Sequence, residues 1–257
     1  MLRAAALAGA AFALGWWAGA RKRHTHTHTP AEVLALRAAF ARSAGGDEAA
    51  LADPADVLAL IKARRSIFPK DYVADAAPTR AQLEQMLEAS NWAPTHGKTE
   101  PWRFVVLEQG SIQRFFGICS DAMKEKFGAS SDKFLAYQQK QEKSKKDKAK
   151  CACIIAICMK RKALPEKLMP EWEEIAATAC AVQNMHLMAT ALQIASYWSS
   201  GGPLDHPLVL DFLRLKEEGD RCLGLFYVGM AAKEKTMSYR KGARRGPIED
   251  KVLWLKD

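Results

Sequence analysis

The chain has 257 residues, of which 49% are apolar, 26% charged and 9% aromatic, enough to bury a real core; a disordered or collagen-like protein is excluded. Its 38 Lys and Arg against 29 Asp and Glu give a formal charge of +9, but the excess sits in residues 1–30 (+4), 138–150 (+4) and 238–257 (+3). The remainder carries −2, so the body is nearly neutral and a nucleic-acid groove, which spreads basic and aromatic residues over folded elements, is not expected.

Residues 4–20 carry no charge and end in Trp16-Trp17 before Arg21-Lys22-Arg23, the order of an apolar span, interfacial aromatics and a basic stop. The 17 residues rise only about 26 Å, slightly less than a hydrocarbon core of about 30 Å. Three readings stay open: a membrane anchor that leaves the protein facing the cytosol, a transit peptide for a mitochondrion or plastid, and a secretory signal cut after Ala18-Gly19-Ala20. His24, His26 and His28 alternate with Thr and read as a solvated linker, since nothing nearby completes a metal site. Leader and linker thus occupy residues 1–29, and a connecting segment with a helix at 31–43 occupies residues 30–53.

The main domain is expected over residues 54–248, with a tail at 249–257. Asp53-Pro54 places an N-cap and a first-turn proline before the stripe Val57, Leu58 and Ile61. Thr79 and Gln82 form a capping box ahead of Leu83, Met86 and Leu87, in a helix that stops before Pro94. Arg103–Leu107 reads as a strand, followed by a helix capped by Ser111. The lysine-rich stretch 130–150 reads as a helix. Cys151-Ala-Cys153-Ile-Ile-Ala-Ile-Cys158 reads as a buried strand whose period of two puts Cys151 and Cys153 on one face and Cys158 on the other. The six cysteines include no CxxC pair and are expected as reduced thiols. A helix from Glu171 to about Ala195 has apolar residues all round, which predicts burial; His186 and Cys180 on it read as core residues. A helix near 206–215 and a third strand, Leu223–Val228, complete an α+β pattern. Dinucleotide, P-loop, zinc-peptidase and serine-hydrolase motifs are absent from the sequence.

Four stretches stand in order: Arg64-Arg65-Ser66; Ala93-Pro94-Thr95-His96-Gly97-Lys98-Thr99-Glu100-Pro101-Trp102; Tyr197-Trp198-Ser199-Ser200-Gly201; and Gly224-Leu225-Phe226-Tyr227-Val228-Gly229. Together they resemble the nitroreductase superfamily over roughly residues 54–248. The third stretch is similar to the compact bacterial branch, whereas Thr99-Glu100-Pro101-Trp102 and the leader are more similar to iodotyrosine deiodinases. The resemblance implies a central, mostly antiparallel sheet covered by helices, and an obligate homodimer with non-covalent FMN at each of two interfacial sites. It implies NADH or NADPH as donor and hydride transfer through flavin N5 to nitroaromatics, quinones or a similar small electron-poor acceptor. A reductive dehalogenase of the deiodinase type and a membrane-tethered, non-catalytic binding module are the alternatives.

By the same resemblance, Arg64 and Ser66, with Arg65 sharing the work, hold the phosphate and ribityl chain, for which guanidinium and hydroxyl groups are chemically suited. Arg244-Arg245-Gly246-Pro247 resembles a further phosphate contact, Arg245 being the better match. Pro94, Thr95 and His96 would approach the flavin ring from the partner subunit, and Trp198, Ser199 and Ser200 would border its edge. The sequence departs from its relatives at Phe68, where many carry Lys or Arg near the flavin; Lys70 or Arg65 would substitute. The stretch 130–150 would form a lid. Lys133 and Tyr137 match part of the deiodinase grip on an amino acid, whose acidic member is missing. The protein needs no acid, base or nucleophile of its own for hydride transfer, so no catalytic side chain is nominated.

Overall fold

The structure, a computed structural model, describes residues 52–161, 168–242 and 245–255. The apolar stretch 4–20, the His/Thr linker, the helix expected at 31–43 and Arg244 lie outside the described residues. The chain divides into two compact units, Met1–Leu58 and Ala59–Asp257. In the described end of the first, Asp53 Oδ1 accepts the N–H of Ala55 at 2.7 Å, the cap that opens α1 (Pro54–Ala63).

In the second unit, α2 (Arg80–Asn91) begins with the expected box: Thr79 Oγ1 accepts from Gln82 N at 3.2 Å, and Gln82 Oε1 accepts from Thr79 N at 2.9 Å. β1 (Trp102–Leu107) leads into α3 (Gln109–Phe127). Ser111 is not the cap of α3 but the third residue inside it; Glu108 is the cap, and Ser111 Oγ accepts the Glu108 N–H at 2.9 Å. α4 (Asp132–Lys148) covers the lysine-rich stretch, with Ser131 as its cap.

β2 (Cys153–Met159) is buried along its whole length. Ile154, Ala156 and Cys158 join one core cluster with Phe115, Cys119 and Leu213, whereas Cys153, Ile155 and Ile157 join another with Met86, Val182 and Met185. Cys151 precedes the strand and falls in the first cluster, so it does not share a face with Cys153 as the period of two had suggested.

α5 (Glu171–Ala191) turns at Gln193, whose φ is 61°, directly into β3 (Ala195–Ser199). The sequence reading ran the helix through to Ala195 and missed this strand. α6 (Pro207–Phe212), β4 (Arg221–Gly229) and α7 (Lys233–Lys241) follow. The four strands lie in the order β1-β2-β4-β3, every pair antiparallel. Residues of α3 and α6 cover one face and residues of α2 and α5 the other, an α+β sheet packed between helices. Cys119, Cys151, Cys153 and Cys158 are buried free thiols, but Cys180, expected in the core, is exposed.

Candidate functional site

The Arg64-Arg65-Ser66 stretch follows α1, with Arg64 N–H still donating to Leu60 O at 3.1 Å, and is tied to the core at several points. The buried His186 on α5 bonds through Nε2 to the carbonyl of Arg65 at 3.1 Å. Ile67 N–H donates to Ser196 O on β3 at 2.9 Å, and Val73 N–H donates to Met230 O at 2.7 Å. His186 has its pKa pushed down to about 4 by burial and by the charge of Arg64, against the pull of its bonds to backbone carbonyls. It is therefore neutral at pH 7, and Nε2 carries the proton it donates to Arg65 O.

Arg65 spends its donors on backbone. Its Nε donates to Tyr239 O at 3.2 Å, one terminal nitrogen to Lys62 O at 2.7 Å and Arg64 O at 2.6 Å, and the other to Arg240 O at 3.3 Å. These carbonyls lie at the C-terminal ends of α1 and α7, where a cation is favoured. Arg65 is thus a clip between chain segments. Arg64 makes no such set of bonds and is half-buried; burial, then the charges of Arg65 and Arg245, pull it below the usual guanidinium range. Arg65 is lowered in turn by burial, Arg245 and Arg240. The fold therefore brings Arg64, Arg65 and Arg245 into one electrostatic neighbourhood.

Beside this corner lies a cavity of about 500 Å³. Phe68, Lys70, Tyr197, Ser199 and Gly201 line one side; Phe116, Tyr137, Lys140, Gln141 and Lys148 line the other. Phe68 stacks on Tyr197 with ring centroids 4.5 Å apart, making it a wall where a cation had been expected. Strand alternation separates two expected site residues: Tyr197 and Ser199 face the cavity, while the Trp198 side chain packs with the α2 and α5 core. Its indole N–H is buried with no hydrogen-bond partner among the described residues. Ser200 follows on the exposed rim.

Pro94, Thr95 and His96 sit elsewhere on the subunit. His96 Nδ1 bonds to Glu173 Oε2 at 2.6 Å on the first turn of α5, and Thr95 Oγ1 to Thr99 Oγ1 at 3.0 Å. Gly97, Lys98 and Glu100 have φ of 63°, 56° and 45°, so two non-glycine residues of this motif occupy the left-handed region, a strain that clusters at functional sites. The structure bonds this segment to α5 and not to the arginine corner of its own chain.

Sequence reasoning missed His186, Lys140 and Lys148. His186 is 121 residues from Arg65 and carries no local signal. A signal for the lysines was present: Phe134, Tyr137, Gln141, Ser144 and Lys148 recur at helical spacing, one face picked out of a uniformly polar stretch. On charge, the corner fits the terminal phosphate of FMN. Burial and one another's charges depress its arginines, Arg240 Nε is buried without a hydrogen-bond partner among the described residues, and a dianion relieves both.

Comparison with known proteins agrees. The nitroreductase family model matches residues 61–230, and the chain belongs to that family of oxidoreductases. YdjA of Escherichia coli, named as an NAD(P)H nitroreductase, is 29% identical over 174 residues, covering 68% of this chain and 87% of that protein. A Haemophilus influenzae protein with a similar name is 26% identical over 174 residues, covering 68% and 88%. Among solved structures, a nitroreductase-like family protein of Bacillus cereus superposes with a TM-score of 0.64 at 21% identity, covering 81% of this chain and all of that one. A Bacteroides fragilis nitroreductase with bound FMN gives 0.53 at 23%, covering 79% and 99%.

These findings correct the expected localisation. The E. coli and H. influenzae relatives are matched along 87% and 88% of their lengths by only 174 residues of this chain. Among the described residues no helix is long and apolar enough to cross a membrane. The membrane tether facing the cytosol and the organelle-import alternative, both read from residues 4–20, are withdrawn.

Proposed function

We propose that the protein is a homodimeric, FMN-dependent NAD(P)H oxidoreductase that reduces nitroaromatics, quinones or a similar small electron-poor acceptor. The observation that carries the reading is the join between the arginine corner and the aromatic cavity: only Ile67 separates Ser66 from Phe68. FMN, when bound, supplies the two-electron chemistry, taking hydride from NADH or NADPH and passing electrons to the acceptor. Arg64 and Arg245 hold the phosphate, with Ser66 beside them. Arg65 and His186 fix the backbone that carries these groups. Ser199 and Ser200 border the ring, and Trp198 contributes through its backbone, since its indole faces the core. Pro94, Thr95 and His96 serve the site of the second subunit, consistent with the exposure of Pro94 and His96 and with the bond of His96 to Glu173 rather than to the corner. Lys70, on the cavity wall, supplies the cation that Phe68 does not.

The dehalogenase alternative loses support from one contact. Lys133 stands over the Phe127 ring at 5.0 Å and does not line the cavity that Tyr137 lines, so the two do not form one grip.

The test is an absorbance spectrum of the purified full-length protein with added FMN, then anaerobic titration with each nicotinamide. Bound flavin that bleaches is expected, and Arg64→Gln should weaken FMN binding about 10- to 100-fold by removing a charge-assisted bond. A folded protein that takes up no FMN overturns the reading.

A further inference from the structure

Resting on that reading, we propose that the acceptor is an aromatic anion, whose ring enters the cavity beside Phe68 and Phe116 and whose negative group is held by Lys140 and Lys148. A nitroaryl carboxylate or a quinone sulfonate has this chemistry.

The cavity wall is aromatic on both sides. Phe68 and Tyr197 face it from the chain after the arginine corner and from β3, and Phe116 and Tyr137 from α3 and α4. Such walls suit a flat ring. Its volume of about 500 Å³ lies within the range of small-molecule sites. Nothing in the aromatic lining needs a charged ligand, so the lysines call for a separate explanation.

Lys70, Lys140 and Lys148 all line the cavity, and Asp147 is the one carboxylate among the lining residues. Asp147 is already engaged, its Oδ1 lying 3.3 Å from Lys150 Nζ. No other lining group becomes an anion near neutral pH. Burial pushes the Cys119 thiol up to about 12 and holds the Tyr137 and Tyr227 phenols above their ordinary range. The site therefore keeps an excess of positive charge.

Lys148 is held for the purpose. Its ammonium lies 3.7 Å from the centre of the Phe116 ring and donates to Gln141 Oε1 one helical face away. Burial, with the neighbouring Lys140 charge, lowers its pKa to about 8, which leaves it mostly protonated at pH 7 and short of a counter-charge. Lys140 has no bonded partner among the described residues and lies close enough to act on Lys148 through charge. An anion between them relieves the crowding. It also leaves the ring of the same molecule directed toward Phe68 and Ser199, the side on which the flavin is proposed to lie. For a nitroaryl carboxylate the first turnover is balanced: ArNO2 + NAD(P)H + H+ gives ArNO + NAD(P)+ + H2O, with the carboxylate unchanged.

The experiment titrates 4-nitrobenzoate and its neutral isostere 4-nitrobenzamide calorimetrically into the full-length protein, with and without FMN. The anion is expected to bind about tenfold more tightly, the effect of one charge-assisted bond. That preference should shrink in Lys140→Gln, vanish in Lys148→Met and return in Lys148→Arg. Lys140 is exposed, so its variant decides the matter even where Lys148→Met does not fold. Equal affinity for the two compounds, or a preference that survives Lys140→Gln undiminished, overturns the inference. The flavin reading fails separately: anion preference in a protein that takes up no FMN overturns that reading and leaves the anion site standing, whereas equal affinities with a flavin that bleaches overturn this inference alone.

Discussion

Gly224→Ala puts the packing beneath the proposed site to the test. Gly224 lies on β4 opposite Ile157 with φ of 149°, where the register between β2 and β4 shifts by one residue. A Cβ added there would overlap Nε1 of the Trp198 indole and come within 2.7 Å of the Ser199 carbonyl oxygen. Two costs combine. A non-glycine residue forced into this region of backbone space costs about 1–3 kcal/mol, and overpacking a closed site costs about 1–3 kcal/mol more. Neither obstacle yields easily, because one is backbone and the other a half-buried ring packed against the α2 and α5 core. A loss of about 4 kcal/mol follows, and at a denaturant slope of about 2 kcal/mol/M the urea midpoint falls by about 2 M. Wild type and variant are compared at equal protein concentration, since the midpoint of the proposed dimer depends on it. FMN affinity should fall as well, because Ser199 is the residue displaced. A variant within about 1 kcal/mol of wild type refutes the reasoning and shows that β3 moves aside freely.

Two further predictions use other parts of the fold. Gly117 is an exposed glycine in the middle of α3, and an added Cβ meets nothing within 4 Å, so Gly117→Ala should raise stability by about 0.5–1 kcal/mol in the same urea assay. His186 makes stability depend on acid. Its folded pKa of about 4 lies below its unfolded value near 6.5, so the unfolded chain takes up a proton that the folded chain refuses. Its contribution is therefore complete above pH 6.5 and declines as pH falls toward 4, by up to about 3 kcal/mol. Urea midpoints measured from pH 7.5 to 4.5 should show this decline, and His186→Gln should flatten it. An equal slope in the variant would mean that other groups set the acid limit.

Local signals were the legible ones. The capping box at Thr79 and Gln82 forms as written, because it closes within one turn and needs no tertiary partner. The buried strand at β2 was legible because an unbroken apolar run of that length has few other places to go. β3 was not, since Ala195–Ser199 continues the composition of the preceding helix; only the left-handed turn at Gln193, a tertiary outcome, breaks it. Cys151 and Cys153 were assigned one face because strand periodicity was extended past the strand's real beginning. At the site, the ordered motifs located the arginine corner, but partners far apart in sequence stayed hidden: His186 beneath Arg65, and the face of α4 across the cavity. Trp198 shows the limit of motif reading most clearly. It stands between two cavity residues, and strand alternation turns its side chain away from both.

The adjacent arginines illustrate how a fold divides work between chemically identical residues. By residue type Arg64 and Arg65 are equally able to meet a phosphate. Arg65, however, bonds to four carbonyls at two helix ends, so its charge is offset by helix dipoles and its donors are largely spent. Among the described residues Arg64 has no comparable set of acceptors, and it feels the charges of both Arg65 and Arg245. The Arg65 bonds hold the backbone that carries Arg64, and backbone fixed in advance lowers the ordering cost of binding an anion. Phe68 packs against Tyr197, where it forms cavity wall. Of the lysines on the cavity, Lys70 stands two residues after Phe68, while Lys140 and Lys148 face it from α4.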